Sequence, residues 1–176
     1  MPIRCALVGM PGSGKSTVGR QLARRLDVPF VDMDQHLESR LGCSIRDYFA
    51  LHGEEAFRDQ ESALLAELAS APGAMLLSTG GGAVLRPDNR QRLRQGFGHV
   101  MYLRASPEDI YRRIQHDQTR PLLQVSNPLE RLRELYRTRD PLYREAAHYV
   151  IESARPTVRG LVNMIEMQLD LAPRPQ

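Results

Sequence analysis

The sequence predicts an α/β fold of three layers, α/β/α, with helices on both faces of a parallel five-stranded sheet. Two observations carry this. Short apolar runs of strand length alternate with stretches of helical period along the whole chain, the pattern of successive β-α-β units. No internal repeat, low-complexity tract or interdomain linker breaks the alternation. The length, 176 residues, is that of one ordinary domain able to bury a single core.

The elements follow in order. Residues 3–8 read as a short, mostly buried strand. Residues 16–26 read as a helix, with Val18, Leu22, Ala23 and Leu26 at helical spacing. Residues 29–32 read as a second strand that ends in acid, and Asp34 is placed to cap a helix over 35–41 that Gly42 stops. Ser44 is placed to cap a helix reaching His52, before Gly53. A longer helix covers 54–69, and Pro72-Gly73 ends it. Residues 74–78 read as a third strand running into Gly80-Gly81-Gly82. A short helix over 87–95 precedes a fourth strand over 99–103. Ser106 caps a helix that Pro107 opens. Residues 119–128 read as a loop, and 129–147 as a helix interrupted at Pro141. Residues 148–151 form a fifth strand, 157–169 a last helix, and 172–176 a frayed tail.

Composition excludes several classes. The net charge of +3 is too small to argue for nucleic acid, and the basic residues are interleaved with acids. No aromatic pair sits on a strand to stack bases. No apolar run approaches the ~18 residues of a membrane span, and the first is too short for a signal peptide. Cys5 and Cys43 offer neither a metal-ligand spacing nor a disulfide framework. The expectation is a cytoplasmic protein without nucleic-acid or membrane partners. Of the 24 basic side chains, one is lysine, Lys15. A compact ammonium at that one place suggests a task that guanidinium cannot perform.

Lys15 lies in Gly9-Met10-Pro11-Gly12-Ser13-Gly14-Lys15-Ser16, which fits G-x-x-x-x-G-K-[ST] at every fixed position. A predicted strand precedes it and an amphipathic helix follows. Glycines let the backbone wrap phosphate with its N–H groups inward, and the helix N-terminus adds positive potential. Lys15 would reach the β- and γ-phosphates, and the Ser16 hydroxyl would ligate Mg²⁺. The motif points to a nucleoside triphosphate and does not name the acceptor.

Asp32-Met33-Asp34 stands at the carboxyl end of the second strand, where open α/β sheets place their ligand crevice. On an extended segment the two carboxylates point to one side. Asp32 is the candidate for metal support, because no carboxylate ends the third strand. Asp34 either faces a hydroxyl acceptor or only caps the next helix. The three glycines at 80–82 either let backbone amides approach a ligand or form a flexible turn. Arg58 stands in the first turn of a predicted helix, against the helix dipole, which hints at a task beyond a solvated face.

The stretch 112–144 carries eight arginines, most of them expected to pair with Asp117, Glu130, Glu134, Asp140 and Glu145. Two have more pointed settings. Arg120, in the predicted loop, could be brought by a mobile lid onto a transferring phosphoryl group. Arg139, beside the predicted helix interruption, could clamp a carboxylate bidentately.

Taken together, G-M-P-G-S-G-K-S-T at 9–17, D-M-D at 32–34, G-E-E-A-F-R at 53–58, G-G-G at 80–82, R-P-L-L at 120–123 and R-D-P-L-Y at 139–143 resemble the shikimate kinase family. The resemblance runs from about residue 3 to about 170, with the motifs in matching order. It implies ATP-dependent phosphorylation of the 3-hydroxyl of shikimate, on the route to chorismate and the aromatic amino acids. It implies a P-loop kinase fold with strand order 2-3-1-4-5, a mobile lid at about 116–127, a shikimate-binding subdomain at about 33–61, and a monomer. It assigns ATP to Gly12, Ser13, Gly14, Lys15, Ser16, Thr17, Arg113, Arg120 and Arg155, and Mg²⁺ to Ser16 and Asp32. It assigns shikimate to Asp34, Arg58, Gly80, Gly81, Gly82 and Arg139, with Lys15, Asp34 and Arg120 catalytic. Met33 departs from the small polar residue more usual there, and its side chain is expected to point away from both carboxylates. The rival is another small-molecule P-loop kinase, such as a gluconate kinase-like enzyme. That rival shares the phosphate loop but does not predict a paired-arginine clamp beside a triple glycine.

Overall fold

The computed structural model describes residues 2–117, 121–153 and 157–171. Arg120, Arg155 and the tail at 172–176 lie outside the described residues. The chain forms β1 (Arg4–Val8), α1 (Lys15–Leu26), β2 (Phe30–Asp32), α2 (Met33–Leu41), α3 (Ile45–Ser70) and β3 (Met75–Ser78). It continues with α4 (Pro87–Gly96), β4 (His99–Arg104), α5 (Pro107–Ile114), a 3-10 turn (Pro121–Gln124), α6 (Pro128–Ala146), β5 (Tyr149–Glu152) and α7 (Val158–Leu171).

The five strands lie in the order β2-β3-β1-β4-β5, and every pairing is parallel. The register sets Cys5 opposite Leu76 on one side and His99 on the other. Successive side chains of a strand point to opposite faces, so each inner strand feeds two cores. Ala6, Val8, Leu77, Val100 and Tyr102 join one core with side chains of α2 to α6. Cys5, Leu7, Leu76, Met101 and Leu103 join the other with α1 and α7. The three layers follow from this period-two alternation.

Local chemistry explains most boundaries. Ser44 caps α3 and Ser106 caps α5, each hydroxyl accepting from the N–H three residues on, at 3.0 and 3.1 Å. Gly53 has φ 84 and ψ 170, which splits α3 at the expected place. Asn127 caps α6 through Glu130 N–H at 3.2 Å.

Two expectations are corrected. Asp32, not Asp34, caps α2, its Oδ1 accepting from Gln35 N–H at 3.3 Å. Asp34 therefore sits in the first helical turn, and the two carboxylates do not share an extended segment. Pro141 does not interrupt α6, which runs unbroken past it. The buried side chains of Leu132, Leu135, Tyr143 and Ala146 hold one helical face to the core on both sides of the proline. That packing offsets the cost of a proline in a helix interior, roughly 3 kcal/mol for the lost backbone bond and the ring clash together.

Candidate active site

The carboxyl ends of β1, β2 and β3 open onto two adjoining cavities. The first, about 240 Å³, is lined by Gly12, Gly14, Lys15, Ser16 and Thr17 with Asp32, Asp34 and Thr79. Gly12 and Gly14 have φ of 80 and 95, a left-handed backbone that a side chain would strain. The Lys15 ammonium is buried and donates to the carbonyls of Gly9 at 2.8 Å and Met10 at 2.9 Å. The loop thus closes around its own cation. Ser13 is buried, and its hydroxyl has no partner among the described residues. Arg113 donates to the carbonyls of Ser13 at 3.3 Å and Ser153 at 2.5 Å, tying the loop to the end of β5.

The Ser16 hydroxyl donates to Asp32 Oδ2 at 2.8 Å and lies 3.4 Å from the Ser78 hydroxyl. Asp32 therefore divides its oxygens, one capping α2 and one meeting Ser16. Among the described residues no group of three or more His, Cys, Asp or Glu could hold a metal ion. One hydroxyl and one carboxylate beside a phosphate pocket nevertheless suit Mg²⁺, which keeps waters and leans on phosphate oxygens.

The second cavity, about 380 Å³, is lined by Asp34, Arg58, Glu61, the three glycines and Arg139, with apolar walls from Ile45, Phe49, Phe57 and Leu135. Pro11, Asp34 and Gly81 border both cavities. The D-x-D, F-R, G-G-G and R-x-P-L-Y residues thus converge, although they span more than half the chain. Met33 points away from the site, fully buried in the core as expected.

Burial pushes the Asp34 carboxyl above its usual range. Lys15 pulls against this, Asp32 and Glu38 reinforce it, and Arg58 again pulls down. Arg58 pairs with Glu61 at 2.9 Å and with Glu54 at 3.4 Å, and sits over the rings of Phe57 and Phe49. Its Nε is buried with no hydrogen-bond partner among the described residues. Glu61 escaped the sequence reading, although its spacing of three residues from Arg58 on one helix was a usable signal.

The three glycines stand in close approach to neighbouring groups. A Cβ on Gly80 would stand 2.7 Å from Asp34 Oδ1, one on Gly81 2.8 Å from Pro11, and one on Gly82 would collide with the Arg58 guanidinium.

Most arginines of α5 and α6 pair on the surface as expected: Arg131 with Glu134, Arg133 and Arg137 with Glu130, and Arg144 with Asp140. Glu145 instead pairs with Arg90. Arg139 enters no ion pair among the described residues. Its neighbour Asp140 accepts from Tyr102 at 2.7 Å, Arg104 at 3.2 Å and Arg144 at 3.1 Å. Burial pushes the Asp140 carboxyl up, but these donors outweigh it and hold it below its usual range.

The family model for shikimate kinase matches residues 11–169. The chain belongs to the shikimate kinase family. Shikimate kinase from Paracidovorax citrulli is 61% identical over 169 residues, covering 94% of this chain and 91% of that one. Shikimate kinase from Ralstonia nicotianae is 54% identical over 165 residues, covering 94% and 86%. Among solved structures, shikimate kinase from Acinetobacter baumannii in complex with shikimate superposes with a TM-score of 0.88 at 43% identity, covering 96% and 93%. A gluconokinase from Sinorhizobium meliloti superposes with a TM-score of only 0.55 at 20% identity, covering 98% of both chains, a likeness of fold alone. Membership of the shikimate kinase family accords with the strand order and with the five-strand parallel sheet.

Proposed function

We propose that this chain transfers the γ-phosphoryl group of ATP to the 3-hydroxyl of shikimate, giving shikimate 3-phosphate and ADP for the synthesis of chorismate and the aromatic amino acids. The observation that carries the reading is the second cavity. Arg139, unpaired among the described residues, and Arg58, with an unpartnered buried donor, stand there beside a carboxylate. Two such cations suit a small acid with hydroxyl groups better than a neutral sugar.

In this reading the phosphate loop, Gly12 to Thr17, wraps the ATP phosphates, and Lys15 exchanges its bonds to Gly9 and Met10 for phosphate oxygens. Arg58 and Arg139 grip the shikimate carboxylate, and Gly80, Gly81 and Gly82 form the floor under the ring. Asp34 accepts a hydrogen bond from the 3-hydroxyl and takes its proton as the new O–P bond forms. Ser16 and Asp32 are the residues that would hold Mg²⁺. When bound, Mg²⁺ supplies charge neutralisation at the phosphate oxygens. Arg113, anchored between Ser13 and Ser153, borders the nucleotide's base side in this reading, and Arg120 and Arg155 complete the nucleotide side by family resemblance. The segment 33–61 serves as the shikimate-binding subdomain and 116–127 as the lid. The family resemblance and the single-domain size support a monomer, and two free cysteines support a cytoplasmic setting.

The test is ADP formation from Mg·ATP with shikimate, with gluconate, or with neither. Turnover with shikimate alone is expected. Turnover with gluconate in its place, a hydroxylated carboxylate that the same two cations could hold, overturns shikimate as the acceptor and with it the proposal.

A further inference from the structure

Arg90 lines neither cavity, and the proposed chemistry leaves it unused. Its side chain, near the start of α4, is nevertheless only 12% exposed. Its Nη1 donates to the carbonyls of Val84 at 2.8 Å and Leu85 at 3.2 Å. Its Nε lies 3.2 Å from Glu145 Oε2 on α6, an ion pair without hydrogen-bond geometry. Charge-assisted bonds to two main-chain carbonyls outweigh such a pair with a half-exposed carboxylate.

The two carbonyls belong to the turn that continues the triple glycine. Ala83 N–H donates to the Gly80 carbonyl at 3.1 Å, and Leu85 N–H donates to the Gly82 carbonyl at 3.1 Å. The Tyr143 hydroxyl donates to the carbonyl between them, that of Gly81, at 2.6 Å. Each carbonyl of the glycine floor thus accepts one bond from outside the floor. Leu85 is the joint: its N–H holds Gly82, and its own carbonyl is held by Arg90. Gly82 in turn lies against the Arg58 guanidinium, with no room for a Cβ between them. An unbroken line of contacts therefore runs from Arg90 through Leu85 and Gly82 to Arg58.

We propose that Arg90 is a positioning residue for the acceptor: its guanidinium fixes the turn at Val84 and Leu85, and that turn holds Gly82 in place against Arg58. This rests on reading the 380 Å³ cavity as the shikimate site. Glycines bring no side chains to hold their own backbone, so the floor keeps its shape through partners of its main chain. A guanidinium suits the task because it presents its donors in a fixed planar fork, whereas an ammonium is a mobile point charge. Arg90 itself is no part of the cavity wall.

The test compares Arg90→Met and Arg90→Lys with the unaltered protein, by steady-state kinetics and by hydrogen exchange at the Leu85 amide. Methionine keeps an apolar stem and removes every donor, and lysine keeps one charged donor group. In Arg90→Met we expect KM for shikimate to rise about tenfold, the scale of one hydrogen bond to a charged group, with KM for ATP unchanged. The Leu85 amide should exchange about tenfold faster, because the turn opens more often. Arg90→Lys should show the same changes to a smaller degree. Circular dichroism establishes that each variant folds. Should Arg90→Met not fold, Arg90→Lys decides on the same readouts. Failure of both to fold would make Arg90 a residue of the fold alone and overturn the proposal. So would an unchanged KM for shikimate beside a lowered urea-unfolding midpoint, or equal rises in KM for both substrates. Failure of the unaltered protein to phosphorylate shikimate would sink the proposed function instead. Exchange at Leu85 needs no acceptor, and an unchanged rate there overturns the role of Arg90 in either case.

Discussion

Glu61 and Arg58 meet at 2.9 Å in the wall of the larger cavity, and Glu61 is 1% exposed. Burial pushes the Glu61 carboxyl up, while the charge and hydrogen bond of Arg58 pull it down without restoring the ordinary value of 4.5. The folded protein thus binds this proton more tightly than the unfolded chain. The associated stability is present below pH 4.5 and is lost as pH rises through the folded value. Glu61→Gln abolishes that loss, so its urea-unfolding midpoint should gain on the unaltered protein as pH rises from acid to neutral. Its KM for shikimate should rise about tenfold, because Arg58 loses the charged partner that aims it. A midpoint difference independent of pH would contradict this account.

Asp34 should leave its mark on the acid limb of the pH profile. Its carboxyl is raised above 3.8, first by burial. Protonated, it cannot accept the proton of an attacking hydroxyl. In the proposed reaction kcat/KM for shikimate therefore falls as pH drops through the raised value, and the limb lies above 3.8. Steady-state rates across the acid range check this, and an acid limb at or below the ordinary aspartate value would speak against it.

Gly82→Ala separates the two cavities functionally. The added methyl collides with the Arg58 guanidinium, while Gly82 does not line the phosphate-loop cavity. A cation displaced by about an ångström should cost roughly 100-fold in kcat/KM for shikimate. KM for ATP should stay unchanged. Parallel losses for both substrates would show that the loop acts on the site as a whole.

Arg4 offers a contrast far from the chemistry. Its guanidinium donates to Leu68 O at 2.7 Å, Gly73 O at 2.8 Å and Gly96 O at 2.9 Å, joining the ends of α3 and α4 to the start of β1. It also stands over the Phe97 ring. Arg4→Met should cost about 2 kcal/mol of stability, the scale of a charged hydrogen bond, measured by urea unfolding. Both KM values should be unaffected.

The parts legible in the sequence were those with local causes. Glycine, proline and serine placed the turns and caps at Ser44, Gly53 and Ser106, and apolar periodicity placed the strands that feed two cores. The cap at the start of α2 was misread because two aspartates compete there. The structure resolves it through backbone shape: Asp32 is extended, with φ −91 and ψ 111, and only an extended residue can turn its carboxylate onto the N–H groups ahead. Pro141 was misread because its local preference is overridden by packing from Leu132 to Ala146. The links from Arg4 to Gly96 and from Tyr143 to Gly81 join residues 92 and 62 positions apart. Nothing in local spacing announces such pairs.

The central place of β1 bears on how the chain comes off the ribosome. The first strand made is the middle of the sheet, and neither of its edges is filled until β3 and β4 have been synthesised. The phosphate loop is written within a dozen residues, Gly9 to Thr17. The pocket beside it waits for Arg139 and Tyr143, in the last quarter of the chain. A chain arrested before α6 would carry the phosphate loop and Arg58 without Arg139, one of the two cations of the proposed clamp.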